Sequence, residues 1–316
     1  MKKTKGIILL SVLLVLSMTM TAFADTNETS AITKEGMTAS EMLEMVSDKL
    51  LEYKTLKNII EIDMTSQVID KTQEKEEAAE MVMNMLMEAA MDQENDKIYI
   101  VNTVKTVLGE ETLEDNTEAL KDGNVMYKKP PRVDKWIQQD LNPITQEFEA
   151  LLGTNMQNGT DITKKQMELF GMTATYLEEE EIDEEDYYVI LITVDKEKFK
   201  AVIDEVLDKI MTLSVEMMDV EEVDELEEEE MKEAIKAMMT EIITGMDMEV
   251  EYKYYINKET KVLEKMDFDQ VIHMEMGMME QHITSTGAIK FYDFDEPVEI
   301  PEIQPEDIMN FVEMIE

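Results

Sequence analysis

Apolar side chains recur along this chain with two different periods, and the changes of period mark out its elements. Thr38 followed by Glu41 forms a capping box, and Met42, Val46, Leu50 and Tyr53 then recur at helical spacing. From Asn58 the period drops to two, with Ile60, Ile62, Met64 and Val68 on one face of a strand. The stretch Lys75 to Met91 fits both periods. Met81, Met83, Met85 and Met87 alternate like a strand, while Ala78, Met81, Met85 and Ala89 make a helical stripe. Ala and Glu flank the methionines and only Val82 is β-branched, so intrinsic propensity predicts a helix there. Lys97 to Leu108 reads as a strand through Tyr99, Val101, Val104 and Val107. Lys121-Asp122-Gly123-Asn124 is a turn signal before a strand at Val125 to Tyr127, and Pro130-Pro131 precedes a short strand at Lys135-Trp136-Ile137.

The middle of the chain is helical by pattern. One short helix starts at Asn142-Pro143, and another runs from Asp161 to Phe170 and stops at Gly171. Strands at Met172 to Leu177 and Tyr187 to Val194 flank an acidic loop, Glu178 to Asp186. An amphipathic helix from Asp195 to Leu213 carries Phe199, Val202, Val206 and Ile210. A second, from about Glu227 to Thr244, sets Met231, Ile235, Met238 and Ile242 on one side. The last third alternates most clearly. Met248, Val250, Tyr252, Tyr254 and Ile256 precede the turn Asn257-Lys258-Glu259-Thr260, and Met266, Phe268, Ile272, Met274 and Met276 follow it. A third strand, Ile283 to Phe294, repeats the pattern before Pro297 and Pro301, and a short helix starts at Pro305. Long strands with one polar face imply an antiparallel sheet whose other face is covered. With no repeat and no long linker, residues 37–316 are expected to form one α+β domain after a leader at 25–36.

The N-terminus changes the expected location. Lys2, Lys3 and Lys5 precede an apolar run from Ile7 to Leu16, and Ala22-Phe23-Ala24 offers a signal peptidase its small-x-small pattern. Residues 1–24 therefore read as a secretory signal peptide cleaved between Ala24 and Asp25. The run is shorter than the roughly 20 residues a membrane span needs. Export as a secreted, extracytoplasmic protein follows, with no stable membrane span after cleavage.

The charge excludes several partners. With 73 acidic and 29 basic residues the chain carries a formal net charge of -44, a field that repels nucleic acid and anionic surfaces. There is no cysteine, hence no disulfide, no thiol chemistry and no lipidated cysteine at the cleavage point.

Candidate chemistry is sparse. No Gly-rich phosphate loop, nucleophile elbow or paired-histidine zinc helix is present, so no catalytic residue and no cofactor is expected. The acidic runs Glu178 to Asp186 and Asp219 to Glu230 lack an EF-hand pattern and read as solvated segments that associate weakly with calcium. If Gly277-Met278 makes a two-residue turn, His273 and His282, the two histidines of the chain, lie opposite one another. Two imidazoles suit weak zinc binding, and the adjacent Met274, Met276, Met278 and Met279 suggest Cu(I). Met274 and Met276 belong to the opposite face from His273, however, and the histidines read as solvent-exposed residues. The 31 methionines suit both an adaptable core and a surface that accepts varied apolar partners.

The order of elements resembles a known group. It comprises an opening amphipathic helix, Met-rich alternating strands, Val125-Met126-Tyr127-Lys128, Lys135-Trp136-Ile137, a helical middle, Tyr254-Tyr255-Ile256-Asn257-Lys258-Glu259-Thr260 and Pro297-Val298-Glu299-Ile300-Pro301. From Thr38 to Pro301 this is similar to Gram-positive secreted proteins of unknown function with a LolA-like lipoprotein-carrier fold. The resemblance implies a strongly curved, incompletely closed antiparallel sheet with helices covering its concave apolar face. It also implies a non-enzymatic protein holding a lipid or acyl chain between the layers. Met248, Val250, Tyr252, Tyr254, Met266, Phe268, Ile272 and Met274 would then line the ligand under Phe199, Val206, Ile235 and Met238. Members usually carry a lipobox cysteine, and Asp25 stands in its place here. The alternative is a structural or protein-interaction module with a solid core, and weak metal binding (Cu or Ca) comes third.

Overall fold

A computed structural model describes residues 32–72, 78–131, 133–141, 171–199 and 245–309. Helix α1 (Ala39–Glu52) leads into β1 (Thr55–Asp70), β2 (Ala78–Asp92), β3 (Lys97–Leu108), β4 (Glu111–Asp122), β5 (Val125–Lys129) and β6 (Ile137–Asp140). The second half supplies β7 (Met172–Tyr176), β8 (Glu180–Ile182), β9 (Glu185–Val194), β10 (Met246–Asn257), β11 (Leu263–Met276) and β12 (Met279–Tyr292). All belong to one 12-stranded sheet in the order β6-β5-β4-β3-β2-β1-β12-β11-β10-β9-β7, with β8 paired to β9. The two ends of this order are not joined, so the sheet is open. Every pairing between these strands is antiparallel.

The strand period of two decides which residues meet. Directly opposed residues share a face, so Ile192, Tyr252, Phe268, Gly287, Ile62, Met85 and Val104 form one row across β9, β10, β11, β12, β1, β2 and β3. This is the inner face. It curls around α1, which touches both the edge strand β7 and the interior strand β11. The helix starts where the sequence places it. The Thr38 hydroxyl accepts the Glu41 amide at 3.3 Å, and the Glu41 carboxylate accepts the Thr38 amide at 2.7 Å. Ala39, Met42, Leu43, Val46 and Leu50 bury the helix's apolar stripe in a cluster with Tyr176, Ile190, Ile192, Tyr254 and Met266.

Two local expectations need correction, and one strand is unexpected. Lys75 to Met91 is not a helix: from Ala78 onward it is β2, paired with β1 on one side and β3 on the other. Two ladders of backbone hydrogen bonds and the facing Ile60, Ile62 and Met64 outweigh the modest helical preference of Ala, Glu and Met. The acidic stretch Glu178 to Asp186 is not simply a loop. Glu180–Ile182 and Glu185–Tyr187 pair as a hairpin around Asp183 and Glu184, both at positive φ (52° and 70°). Glu111–Asp122, unassigned from sequence because its apolar residues are few, is β4.

The proposed helices at Asn142-Pro143, Asp161 to Phe170 and Glu227 to Thr244 lie outside the described residues, as do the run Asp219 to Glu230 and the cleavage point Ala24–Asp25. Of the helix from Asp195, the first turn through Phe199 is described. Asp195 caps it, its carboxylate accepting the amides of Glu197 at 3.0 Å and Lys198 at 3.1 Å. Among the described residues, no helix is long and apolar enough to cross a membrane.

Candidate ligand-binding face

The inner face is continuous and mostly apolar, and its covering is uneven. On the β9–β11 side it is closed: Tyr254 and Met266 retain 1% of their surface and Ile190, Ile192 and Ile256 none. Met248, Val250, Tyr252, Ile272 and Met274 are buried in the same cluster, as is Phe199 from the turn after Asp195. Phe268 is partly buried against them, with its ring centroid 6.3 Å from that of Tyr252. The structure thus brings nine of the residues proposed as ligand-lining into one apolar cluster. Val206, Ile235 and Met238 lie outside the described residues. Burial pushes the phenol pKa values of Tyr252 and Tyr254 up, so both stay neutral and carry no charge into the cluster.

Beyond β12 the covering thins. Met81, Met83 and Met87 on β2 and Ile98, Ile100 and Val104 on β3 share this face by register and are only half-buried. Reading β2 as a helix hid this surface. The signal was the four methionines spaced by two, which a helix would scatter around its circumference.

Two pairs of polar groups on the inner face bond to each other, whereas the buried Oδ1 atoms of Asn58 and Asn102 on the same face have no hydrogen-bond partner among the described residues. The Ser285 hydroxyl donates to Gln270 Oε1 at 3.1 Å, and Gln281 Nε2 donates to Ser66 Oγ at 2.9 Å. Small side chains lie beside them, and Gly287 leaves room for the Phe268 ring on the neighbouring strand.

The outer face carries the charge. Around Gly287 a shallow depression of about 350 Å³ is lined by Glu61, Asp63, Asp267 and Asp269 together with Thr286 and Ala288. At the tip of the β11–β12 hairpin, Gly277 takes a φ of 58° and the two-residue turn sets His273 opposite His282, as the sequence suggested. Their Nδ1 atoms are 3.2 Å apart. Lys71 and then His282 hold the Glu280 carboxyl below the usual carboxylate range. A third charged group anchors the start of the described chain. Glu179 is drawn down to about 2 by Lys258 and then Lys34, while Tyr188 donates to Glu35 at 2.7 Å.

The described residues thus form an open antiparallel sheet wrapped on an amphipathic helix. Among solved structures it is similar to LprF from Mycobacterium bovis, with 14% identity over 84% of this chain and 96% of that one at a TM-score of 0.38. Lipoprotein LppX from Mycobacterium tuberculosis gives 10% identity over 82% and 94%, with a TM-score of 0.33. Lipovitellin gives 9% identity over 79% of this chain and 26% of that one, with a TM-score of 0.34. No family model matches the sequence, and no curated protein is similar to it. Scores of this size carry no argument, so the functional reading rests on this chain's own side chains.

Proposed function

We propose that this chain is a non-enzymatic, extracytoplasmic binding protein that holds a lipid or another acyl-chain ligand against the inner face of its sheet. The observation that carries the reading is the uneven covering of that face. The β9–β11 side is sealed by α1, whereas on the β2–β3 side Met81, Met83, Met87, Ile98, Ile100 and Val104 are half-buried around the buried Met85 and Ala89, with Asn102 among them. Thioethers suit such a seat, being unbranched and polarizable enough to fit chains of different shape. The residues first expected to line the ligand, Tyr252, Tyr254 and Met266 among them, then form the floor and wall next to it. Each buried methylene contributes about 0.8 kcal/mol, so ten contribute roughly 8 kcal/mol against association costs of about 4 kcal/mol or more. A ligand of that length survives purification.

The test is solvent extraction of the purified protein followed by mass spectrometry, together with titration by a fluorescent fatty acid. Stoichiometric lipid or saturable uptake is expected, and Met87→Glu should abolish it while leaving the circular dichroism melt close to that of wild type. Folded wild-type protein with neither lipid nor uptake would refute the carrier reading. The dry packing of α1 on β9–β11 would then favour a structural or interaction module with a solid core.

A further inference from the structure

We propose that the outer face of the β11–β12 hairpin binds a divalent transition-metal ion, Zn²⁺ or Cu²⁺, through His273, His282 and Glu280. The register builds the site. The Gly277-Met278 turn pairs His273 with His282 and, two residues nearer the tip, Glu275 with Glu280, so four donor side chains occupy a two-by-two square on one face. Candidate ligand atoms of His273, Glu280 and His282 all lie within 4.8 Å of one another. The Nδ1 atoms of the imidazoles are 3.2 Å apart, and Glu280 Oε1 lies 2.8 Å from His282 Nε2 and 3.7 Å from His273 Nδ1. One imidazole gives one nitrogen to an ion, so the 2.8 Å contact is a hydrogen bond that the carboxylate exchanges for the metal. Bonds of about 2.0–2.2 Å in a tetrahedral zinc site separate ligand atoms by roughly 3.3–3.6 Å, and the 3.2 and 3.7 Å distances at His273 Nδ1 lie on either side of that range.

Two further features point to a cation. Glutamates directly opposed across a ladder repel. Here Lys71, just beyond β1, relieves the pair by reaching Glu275 at 3.2 Å and Glu280 at 2.9 Å. Lys71 takes Oε2 of Glu280, which leaves Oε1 directed at the imidazoles. A ligand carboxylate oriented by an outer partner is the usual arrangement around protein-bound metals. Second, the Nδ1···Nδ1 contact holds only if a proton lies between the rings, and a metal ion replaces that proton when it binds both nitrogens.

The donor set selects the ion. Two imidazoles and a carboxylate suit Zn²⁺ and Cu²⁺, whereas Ca²⁺ takes oxygen ligands. Thioether ligation of Cu(I) is not available from Met274, which is 3% exposed on the opposite face. The side chains of His273, His282 and Glu280 are 30%, 44% and 20% exposed, so water completes the coordination.

Zinc titration in millimolar Mg²⁺ and Ca²⁺, which saturate the diffuse acidic field, tests the proposal. Calorimetry should show one Zn²⁺ per chain, and in NMR both histidine ring signals should shift together. His273→Gln and His282→Gln should each weaken binding by about tenfold or more, as losses around metal ligands do. Glu280→Gln should weaken it as well, with the metal-free melting temperature close to that of wild type. Binding that persists in the double histidine variant overturns the site. So does binding abolished by millimolar Mg²⁺, or wild-type ring signals that do not move with zinc.

Discussion

Gly287 sits where a side chain has no room, and replacing it measures how tightly the inner face is packed. A Cβ at this position would lie 2.4 and 2.5 Å from Cζ and Cε1 of the Phe268 ring and 2.6 Å from the Glu61 carbonyl oxygen. The ring is able to rotate away. The carbonyl belongs to β1, which is paired on both sides, and has nowhere to go. Gly287→Ala therefore costs near the top of the overpacking range, about 2–3 kcal/mol. For a domain of about 280 residues, that lowers the melting temperature by roughly 3–5 °C. Thermal and urea unfolding of Gly287→Ala, Phe268→Leu and the double variant separate the two clashes. The ring contributes only part, so the double variant should be less destabilised than the sum of the singles. A Gly287→Ala protein melting within about 1 °C of wild type would refute this account, given that slope. Strict additivity would show that the ring does not cover Gly287.

Further outcomes follow from the caps and charges. Thr38→Ala removes the hydroxyl of the α1 capping box and should cost about 1 kcal/mol in urea unfolding, with Thr38→Ser restoring most of it. Glu179 is held down to about 2 by Lys258 and Lys34, below its value in the unfolded chain. Its contribution is therefore complete above the unfolded pKa of roughly 4.3 and disappears as pH falls through about 2. Glu179→Gln should flatten the acid limb of the stability curve in that window, and an unchanged limb would show that the lysines do not hold it. The Tyr188 phenol, raised to about 12 by burial and then by its bond to Glu35, should titrate late in an ultraviolet pH scan. Glu35→Gln should bring that titration to lower pH.

The sequence made most of the sheet legible because one face of each long strand is polar. Glu249, Glu251 and Lys253 between Met248 and Tyr254 admit no other period, and the Gly277-Met278 turn fixed the His273–His282 pairing before any coordinates. β2 failed for a physical reason. Methionine and alanine fit both helix and strand, and the deciding interactions come from β1 and β3, which local propensity does not see. β4 failed because Glu111 to Asn116 is polar at nearly every position, with Leu113 exposed. The half-buried seat on β2 and β3 was missed along with β2. Lys71 was invisible as well, since only the folded register brings the end of β1 beside Glu275 and Glu280.

The strand order also has a consequence for how the molecule assembles. β1 to β6 run outward in sequence to one edge, the chain resumes at the opposite edge with β7, and β9 to β12 return to the middle. Each half is a meander of largely local hairpins, and within the sheet the halves pair along one seam, β1 against β12, with pairs from Lys57↔Tyr292 to Asp70↔Met279, while α1 packs across on β7 and β11. That seam joins residues more than 200 positions apart, so pairing it carries a high loop-closure cost. Its two ends are tied, the Thr55 hydroxyl donating to the Glu296 carbonyl at 2.7 Å at one and the Lys71 amide to the Met278 carbonyl at 2.8 Å at the other. A chain severed between β6 and β7 would keep both meanders whole, and its two pieces would rejoin through that line of hydrogen bonds and the packing of α1 on β7 and β11.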